Sequence, residues 1–206
     1  MHKLIVLVGF LLLTAGSALA QSEFPKVEIS PAFMFIRTPV AGQSLNCAGG
    51  GGTFAYNLTS SFGLAADLGY CKTFGNTFGL NDRITGGSEY TYLFGPRLTF
   101  RNHTPFHPFF DLNFGGTRLA FSCTSTNLNC RNHSSSGDFS QNAFALTVGG
   151  GFDLKLNRNF SLRAIQAEYL YTRFANGCPF NTCINNNQNS FRLKSGIVFG
   201  FGGGGY

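Results

Sequence analysis

The stretch Phe144-Ala-Leu-Thr-Val-Gly-Gly-Gly-Phe-Asp-Leu-Lys155 alternates between large apolar residues and residues that are small, polar or charged. Successive side chains of a β-strand point to opposite faces, so this alternation predicts a strand with one apolar face. Only Gly150 interrupts that face. The apolar face comprises Phe144, Leu146, Val148, Phe152 and Leu154, and the other comprises Ala145, Thr147, Gly149, Gly151, Asp153 and Lys155.

The amino terminus has the pattern of a secretory signal peptide. His2 and Lys3 precede an apolar run over 4–13, and an Ala-x-Ala sequence ends at Ala20. About ten apolar residues cannot cross roughly 30 Å of hydrocarbon as a helix, which excludes a transmembrane helix here. We predict a signal peptide over 1–20, cleaved after Ala20, and one barrel domain over 21–206. The exported chain would enter a membrane only as strands.

The composition departs from that of a water-soluble domain. Only 12% of the 206 residues are charged, whereas soluble domains average about a quarter. The chain has 24 Phe, 27 Gly and no Trp, and its Lys and Glu are too few to cover a water-facing surface. The formal charge is +6, but the bases are scattered singly rather than gathered in one patch. We therefore expect no nucleic-acid partner.

Eight segments have the length of a membrane-spanning strand, and the connections between them alternate in length. Three connections are short (59–61, 102–105 and 157–159) and four are long (38–47, 73–88, 120–142 and 173–189). Short turns at one end and long loops at the other are typical of outer-membrane barrels. The alternation slips near Ala164 and Ile165, which predicts a β-bulge. The predicted strands are 26–37, 48–58, 62–72, 89–101, 106–119, 144–156, 160–172 and 190–201.

The charged residues on the small-residue face favour a membrane barrel over a soluble one. In a soluble closed barrel such as a lipocalin, the apolar face would point inward and the polar face outward. Here the polar face carries six acids and six bases, the balance that a narrow interior requires because unpaired buried charge is costly. We predict an all-β, antiparallel up-and-down transmembrane barrel with an interior ionic network. Its members are Glu28, Asp67, Glu89, Arg97, Arg101, Asp111, Asp153, Lys155, Arg163, Glu168, Arg192 and Lys194.

Two segments, 166–172 (Gln-Ala-Glu-Tyr-Leu-Tyr-Thr) and 190–201 (Ser-Phe-Arg-Leu-Lys-Ser-Gly-Ile-Val-Phe-Gly-Phe), resemble the small outer-membrane β-barrel family. That family is typified by the eight-stranded transmembrane domain of outer membrane protein A, and the resemblance covers nearly all of 21–206. It implies that Phe199 and Phe201, or Tyr206 after the glycine-rich tail, form the aromatic signal read by the barrel-assembly machinery. No peptidoglycan-binding domain follows the barrel, so we do not expect a cell-wall tethering role.

The six cysteines fall in the predicted long loops or at their rim, with Cys47 and Cys71 at the long-loop rim of the second and third strands. Export permits disulfides. Six cysteines allow 15 pairings. Local geometry favours three of them, since each would bring the sulfur atoms within bridging range. Metal binding is disfavoured, because Cys178 and Cys183 have no nearby His and the other loop pair has only His133. The favoured pairs are Cys47–Cys71, Cys123–Cys130 and Cys178–Cys183.

No catalytic or cofactor site is predicted. Some small outer-membrane barrels are lipid A deacylases, and the nearest candidate here is His133 with Ser135 and Asp138. These residues fall in a Ser-rich loop, away from the membrane edge where an acyl chain could be reached. His103 and His107 flank a short turn and are interpreted as interfacial polar residues.

The sequence thus predicts a non-enzymatic outer-membrane barrel with a side-chain-filled interior and disulfide-braced loops. Its role would lie in envelope integrity or surface interaction, with outer-membrane lipids and a surface partner of the long loops as its contacts. One alternative is a narrow, gated channel in which inward Arg and Lys near the last strand prefer small anions. A lipid-modifying enzyme is the other. An eight-stranded barrel interior is just filled by side chains, which favours the first reading.

Overall fold

The computed structural model describes residues 24–40, 43–74, 87–102, 104–122, 138–174 and 187–202. Within these ranges the chain forms eight β-strands. No helix there is both long and apolar enough to span a membrane. The strands are β1 Val27–Val40, β2 Gln43–Asn57, β3 Phe62–Phe74, β4 Gly87–Thr99, β5 Phe106–Ser122, β6 Asp138–Lys155, β7 Phe160–Phe174 and β8 Asn187–Phe201.

The eight strands form a closed antiparallel barrel. Each strand pairs with the next along the chain, and β1 also pairs with β8. Following paired residues once around the barrel from Ile36 leads to Lys26, a stagger of about ten residues. Such a stagger requires strands tilted by roughly 35–45° to the barrel axis. The predicted fold class, an eight-stranded up-and-down barrel, is confirmed.

The barrel is apolar outside and polar inside over most of its length. On β1, Phe33 is 61% exposed and its neighbour Met34 is fully buried. The same alternation on β4 exposes Tyr92 and Phe94 while burying Arg97. In water, apolar side chains would gain by pointing inward. The observed direction fits lipid outside and excludes the soluble barrel.

The predicted bulge lies in β7. Phe152 on β6 pairs with Ile165, whereas the next residue, Asp153, pairs with Arg163, so that Ala164 is the extra residue. The pairing of β7 with β8 is also interrupted between Arg163 and Gln166. The extra residue shifts the alternation by one position, and both Arg163 and Gln166 are therefore buried in the interior.

The predicted long loop over 38–47 is wrong. β1 continues to Val40 and β2 begins at Gln43, which is paired with Val40, so only residues 41–42 separate the two strands. Pro39 lies within this continued strand although proline has no N–H group to donate to a neighbouring strand. β1 pairs with β8 only as far as Arg37, so Pro39 lies where β1 is paired with β2 alone, a position that tolerates proline. The other three long connections fall largely outside the described residues.

Candidate functional site

The interior near the short-turn end is closed by an ion pair. Arg101, just after β4, contacts Glu28 on β1 at 2.6 Å and also donates to the carbonyl of Ser60. Asn57 donates from its Nδ2 to Glu28 at 2.9 Å and to the carbonyl of Pro25 at 2.7 Å. Arg101 thereby connects the end of β4 to β1 across the lumen, and Asn57 links the neighbouring strands β1 and β2 to the same carboxylate.

Two arginine–aspartate pairs lie above this end. Arg97 donates two hydrogen bonds of 2.7 Å to Asp111, and Arg163 donates bonds of 2.8 and 2.9 Å to Asp153. Both guanidinium groups also lie against the buried ring of Phe109, at 4.7 and 4.3 Å from its centroid. The arginines are each 1% exposed, so these charges are compensated by protein groups and not by solvent.

A four-residue cluster occupies the middle of the interior. Arg192 contacts Glu168 at 2.7 Å and Asp67 at 2.9 Å, and Lys194 contacts Asp67 and, at 3.7 Å, Glu168. Gln166 joins this cluster to the pairs below, because its Nε2 donates to Asp111 and to Glu168, both at 3.1 Å. We call the following linked residues the charge network: Glu28, Asp67, Arg97, Arg101, Asp111, Asp153, Arg163, Gln166, Glu168, Arg192 and Lys194.

Two residues predicted for the ionic network do not belong to it. Alternation along β6 would point Lys155 inward, but it is the last residue of the strand. It therefore lies at the short-turn rim of the barrel and is exposed. Glu89 is buried but forms no ion pair among the described residues, and it accepts a hydrogen bond of 3.0 Å from Thr117. The predicted balance of six against six is therefore wrong. Among the residues that the structure describes, the interior holds six acids and five bases, with Glu89 as the acid in excess.

The structure contains a disulfide between Cys47 and Cys71, with a Cα–Cα distance of 5.5 Å. The pairing agrees with the sequence prediction, which placed it at the long-loop end of the second and third strands. Both cysteines lie within strands, β2 and β3, and are at most 3% exposed inside the barrel. Alternation along β2 and β3 points both side chains inward. The predicted second strand began at residue 48, one residue too late to include Cys47. Cys123, Cys130, Cys178 and Cys183 lie outside the described residues.

The sulfur atoms of Cys47 and Cys71 and a carboxylate oxygen of Glu89 lie within 4.8 Å of one another. Glu89 is the direct strand partner of Cys71, which explains this proximity. A metal site would need cysteine thiolates, and here the two sulfur atoms are bonded to each other. The group is therefore a structural contact between the disulfide and a buried carboxylate.

An apolar layer covers the charge network on the long-loop side, and the alternation along the sequence did not predict it. The alternation along the sequence placed Ala145 on the inward face, and along β1 it placed Met34 there as well. Ile36 shares its parity, Leu93 interrupts the polar face of β4, and Leu170 enters only because the bulge shifts β7. The layer consists of Met34, Ile36, Cys47, Cys71, Leu93, Ala145 and Leu170, with Leu119, Ala143 and Phe174 as a second cluster.

Some buried polar atoms have no partner among the described residues. They are Ser30 Oγ, Asn113 Oδ1, Thr147 Oγ1 and Arg192 Nη2, together with Asn46 Oδ1. Asp67 Oδ1 also lacks an aligned hydrogen bond, although it lies 2.9 Å from Arg192 Nη1. Because buried polar atoms are usually paired, these atoms are the places where the interior could accept water or an ion.

The remaining predicted residues are placed as follows. Phe199 and Phe201 lie on the outer face of β8, and the ring of Phe199 packs edge-on against that of Phe160 at 5.2 Å. Tyr206 lies outside the described residues, as do His103, His133, Ser135 and the side chain of Asp138. His107 is half-buried near the start of β5.

Comparison with known proteins agrees with this architecture. The family described as outer membrane protein beta-barrel domain matches residues 5–203. No curated protein matches the chain. Among solved structures, Neisserial surface protein A is 14% identical, with a TM-score of 0.58 over 85% of this chain and 97% of that one.

Two further solved structures share the fold. OprG from Pseudomonas aeruginosa is 14% identical, with a TM-score of 0.53 over 88% of this chain and 98% of that one. Ail, the attachment invasion locus protein of Yersinia pestis, is 16% identical, with a TM-score of 0.50 over 85% and 99%. Since the family match spans nearly the whole chain and the barrel closes with eight strands, the chain belongs to the outer membrane protein beta-barrel domain family.

Proposed function

We propose that this protein is a non-enzymatic outer-membrane barrel with a closed interior, which supports envelope integrity or surface contact. The observation that carries this proposal is the charge network beneath the apolar layer. Arg97, Arg163 and Arg192 are each at most 1% exposed, and each is paired with a carboxylate. Arginines that line a water-filled pore would instead keep part of their surface in solvent.

Opening this interior would be costly. Breaking a buried ion pair by removing one partner costs about 3–5 kcal/mol, because it leaves a buried charge uncompensated. The pairs are joined through Gln166, so displacing one side chain disturbs several. A rigid, filled barrel leaves the outer face and the loops as the surfaces available for function.

We also propose that the protein is exported and then inserted into the outer membrane by the barrel-assembly machinery. Export would depend on the signal peptide over 1–20, whose cleavage after Ala20 can be read by amino-terminal sequencing of the membrane protein. Insertion would depend on the barrel-assembly machinery acting on the aromatic end of β8, with Phe201 exposed there. Phe199→Ala combined with Phe201→Ala should lower the amount inserted without changing the amount exported.

A deletion strain tests the envelope role. We expect deletion to raise the uptake of a dye that the intact outer membrane excludes, and the wild-type gene to restore exclusion. An exported but uninserted variant serves as the control for expression stress. Unchanged dye uptake and unchanged binding of whole cells to surfaces would together contradict the proposal.

A narrow channel is the second candidate. It is favoured by the unpartnered Arg192 Nη2, Asn113 Oδ1 and Thr147 Oγ1, which could line a hydrated path. Swelling of liposomes that contain the folded protein separates the two functions. Swelling in small charged solutes, absent from protein-free liposomes, would favour the channel.

A further inference from the structure

Four basic residues on the outer wall occupy equivalent places on alternate strands. Arg37 lies near the end of β1, Lys72 on β3, Arg118 on β5 and Arg173 on β7. All four are exposed and have outward parity, at the end of the barrel where the long connections lie. We call these four residues the basic ring.

The strand register places the basic ring at nearly one level. Arg37 pairs with Asn46, which pairs with Phe74, and Lys72 is two residues short of Phe74. The same two-residue step separates Lys72 from Arg118 through the pairs Lys72–Ser88 and Ser88–Ala120. Arg173 repeats the step, since it pairs with Phe144 while Arg118 pairs with Asn142.

These steps nearly cancel the tilt of the barrel. Each step between alternate strands moves the base two residues back from the paired position. Over the eight strands this rate amounts to about eight residues, compared with a barrel stagger of about ten. The difference is about two residues along a tilted strand, so the four bases lie within roughly 5 Å of one level. A random scatter of bases along four strands would not produce this agreement.

The basic ring has no acidic partner on the described surface. Arg37 donates to the hydroxyl of Ser44 at 3.2 and 3.3 Å, and Arg118 donates to that of Ser140 at 3.2 Å. Both partners are neutral, which leaves the positive charge uncompensated. Every acid whose side chain the structure describes is in the interior, namely Glu28, Asp67, Glu89, Asp111, Asp153 and Glu168.

Tyrosines lie directly beneath the ring on the same outer face. The ring centroids of Tyr70 and Tyr90 lie 4.7 Å apart with the rings tilted by 40°. Tyr169 and Tyr171 donate to Asn189 and Asn187 at 2.6 and 3.0 Å. Aromatic girdles mark the boundary between hydrocarbon and headgroups in outer-membrane barrels. The basic ring therefore lies at the level of the headgroups, on the side of the long, extracellular connections.

We infer that the basic ring binds the phosphate groups of outer-leaflet lipids that surround the barrel. Guanidinium and ammonium groups are the side chains best suited to phosphate oxygens, and Arg can bind them with two hydrogen bonds. Four bases spaced around the wall would hold a shell of phosphorylated lipids rather than one molecule in a pocket. The inference gives the proposed envelope role a molecular basis and rests on that role only for the outer-leaflet placement.

Binding of lipid A to the folded protein in neutral detergent tests this inference. The probes are lipid A carrying two phosphates, the same lipid after enzymatic dephosphorylation, and inorganic phosphate as competitor. The ring variant is R37Q/K72Q/R118Q/R173Q. The control variant, K26Q/K155Q, removes bases at the opposite end of the barrel. Native mass spectrometry counts the bound lipids, and the temperature-dependent gel mobility of each variant verifies that it is folded.

We expect the ring variant to bind phosphorylated lipid A at least about tenfold more weakly than wild type, and the control to stay within about twofold. Dephosphorylated lipid should bind wild type and ring variant equally. If the ring variant does not fold, R37Q/R118Q and K72Q/R173Q should each show part of the loss. Equal binding by wild type and ring variants, equal binding of both lipids, or full displacement by inorganic phosphate would overturn the inference. Lipid binding is measured on the purified protein, separately from dye uptake and liposome swelling. A failure of this inference can therefore be distinguished from a failure of the proposed envelope role or of the closed interior.

Discussion

Arg97 on β4 and Asp111 on β5 are direct strand partners, and two parallel hydrogen bonds of 2.7 Å join their side chains inside the barrel. Both residues are 1% exposed. The strand register thus sets the geometry of the ion pair, and the ion pair in turn fixes the register. The same holds for Arg163 and Asp153, which are partners across β6 and β7.

Asp111→Ala should destabilise the folded barrel by about 3–5 kcal/mol, because Arg97 would keep its charge without a carboxylate partner. Urea-induced unfolding in lipid vesicles, followed by tyrosine fluorescence and gel mobility, measures this change. The double variant R97M/D111L should lose less than the single variant. Lys155→Gln, at the exposed end of β6, is the matched control and should change stability by less than about 0.5 kcal/mol. A single variant as stable as the control would contradict the paired-charge account.

The Cys47–Cys71 bond should resist water-soluble reductants while the barrel is folded, since both residues are at most 3% exposed. Alkylation followed by mass spectrometry should find the bond intact after mild reduction in vesicles and broken after reduction in urea. Replacing both cysteines with alanine should lower the free energy of unfolding by about 2–4 kcal/mol. Rapid reduction of the folded protein at this bond would place the disulfide outside the barrel.

Deleting Ala164 should leave a folded barrel, because it removes the bulge and restores regular alternation from Arg163 to Gln166. Deleting Ala167 is the matched control. It would turn Glu168 towards lipid and Tyr169 into the interior, and a one-residue slip of this kind inverts both faces. Gel mobility before and after heating distinguishes the two. Folding of both deletions to the same extent would mean that β7 has no fixed register.

Alternation along the sequence was sufficient to predict the number of strands, their inward and outward faces and the bulge in β7, but it began β2 at residue 48 instead of Gln43. It could not give the level of each residue along the barrel axis, which depends on pairing between strands. For that reason Lys155 was placed in the interior although it lies at the rim, and Cys47 was placed on a loop. The basic ring was missed for the same reason, since only the register shows that Arg37 and Arg173 lie at nearly the same level.

The apolar layer could not be predicted from alternation, because it depends on how side chains of different strands fit together. Leu93 and Ile36 contradict the small, polar character expected of inward positions, and the burial of Met34 between them depends on a glycine of another strand. A Cβ atom on Gly69 would come within 2.8 Å of Met34 Cε, so the absence of that atom makes room for the methionine. Such complementarity involves residues far apart in sequence, and alternation within one strand does not reveal it.

The closed interior is the central claim, and single-channel recording in planar bilayers tests it most directly. Folded wild-type protein should give no conductance steps, under conditions where a general porin gives large ones, because the charge network and the apolar layer fill the lumen. Stable, ion-selective steps from the wild-type protein that change when Arg97 or Arg163 is replaced would contradict the account, because they would show that ions pass these side chains.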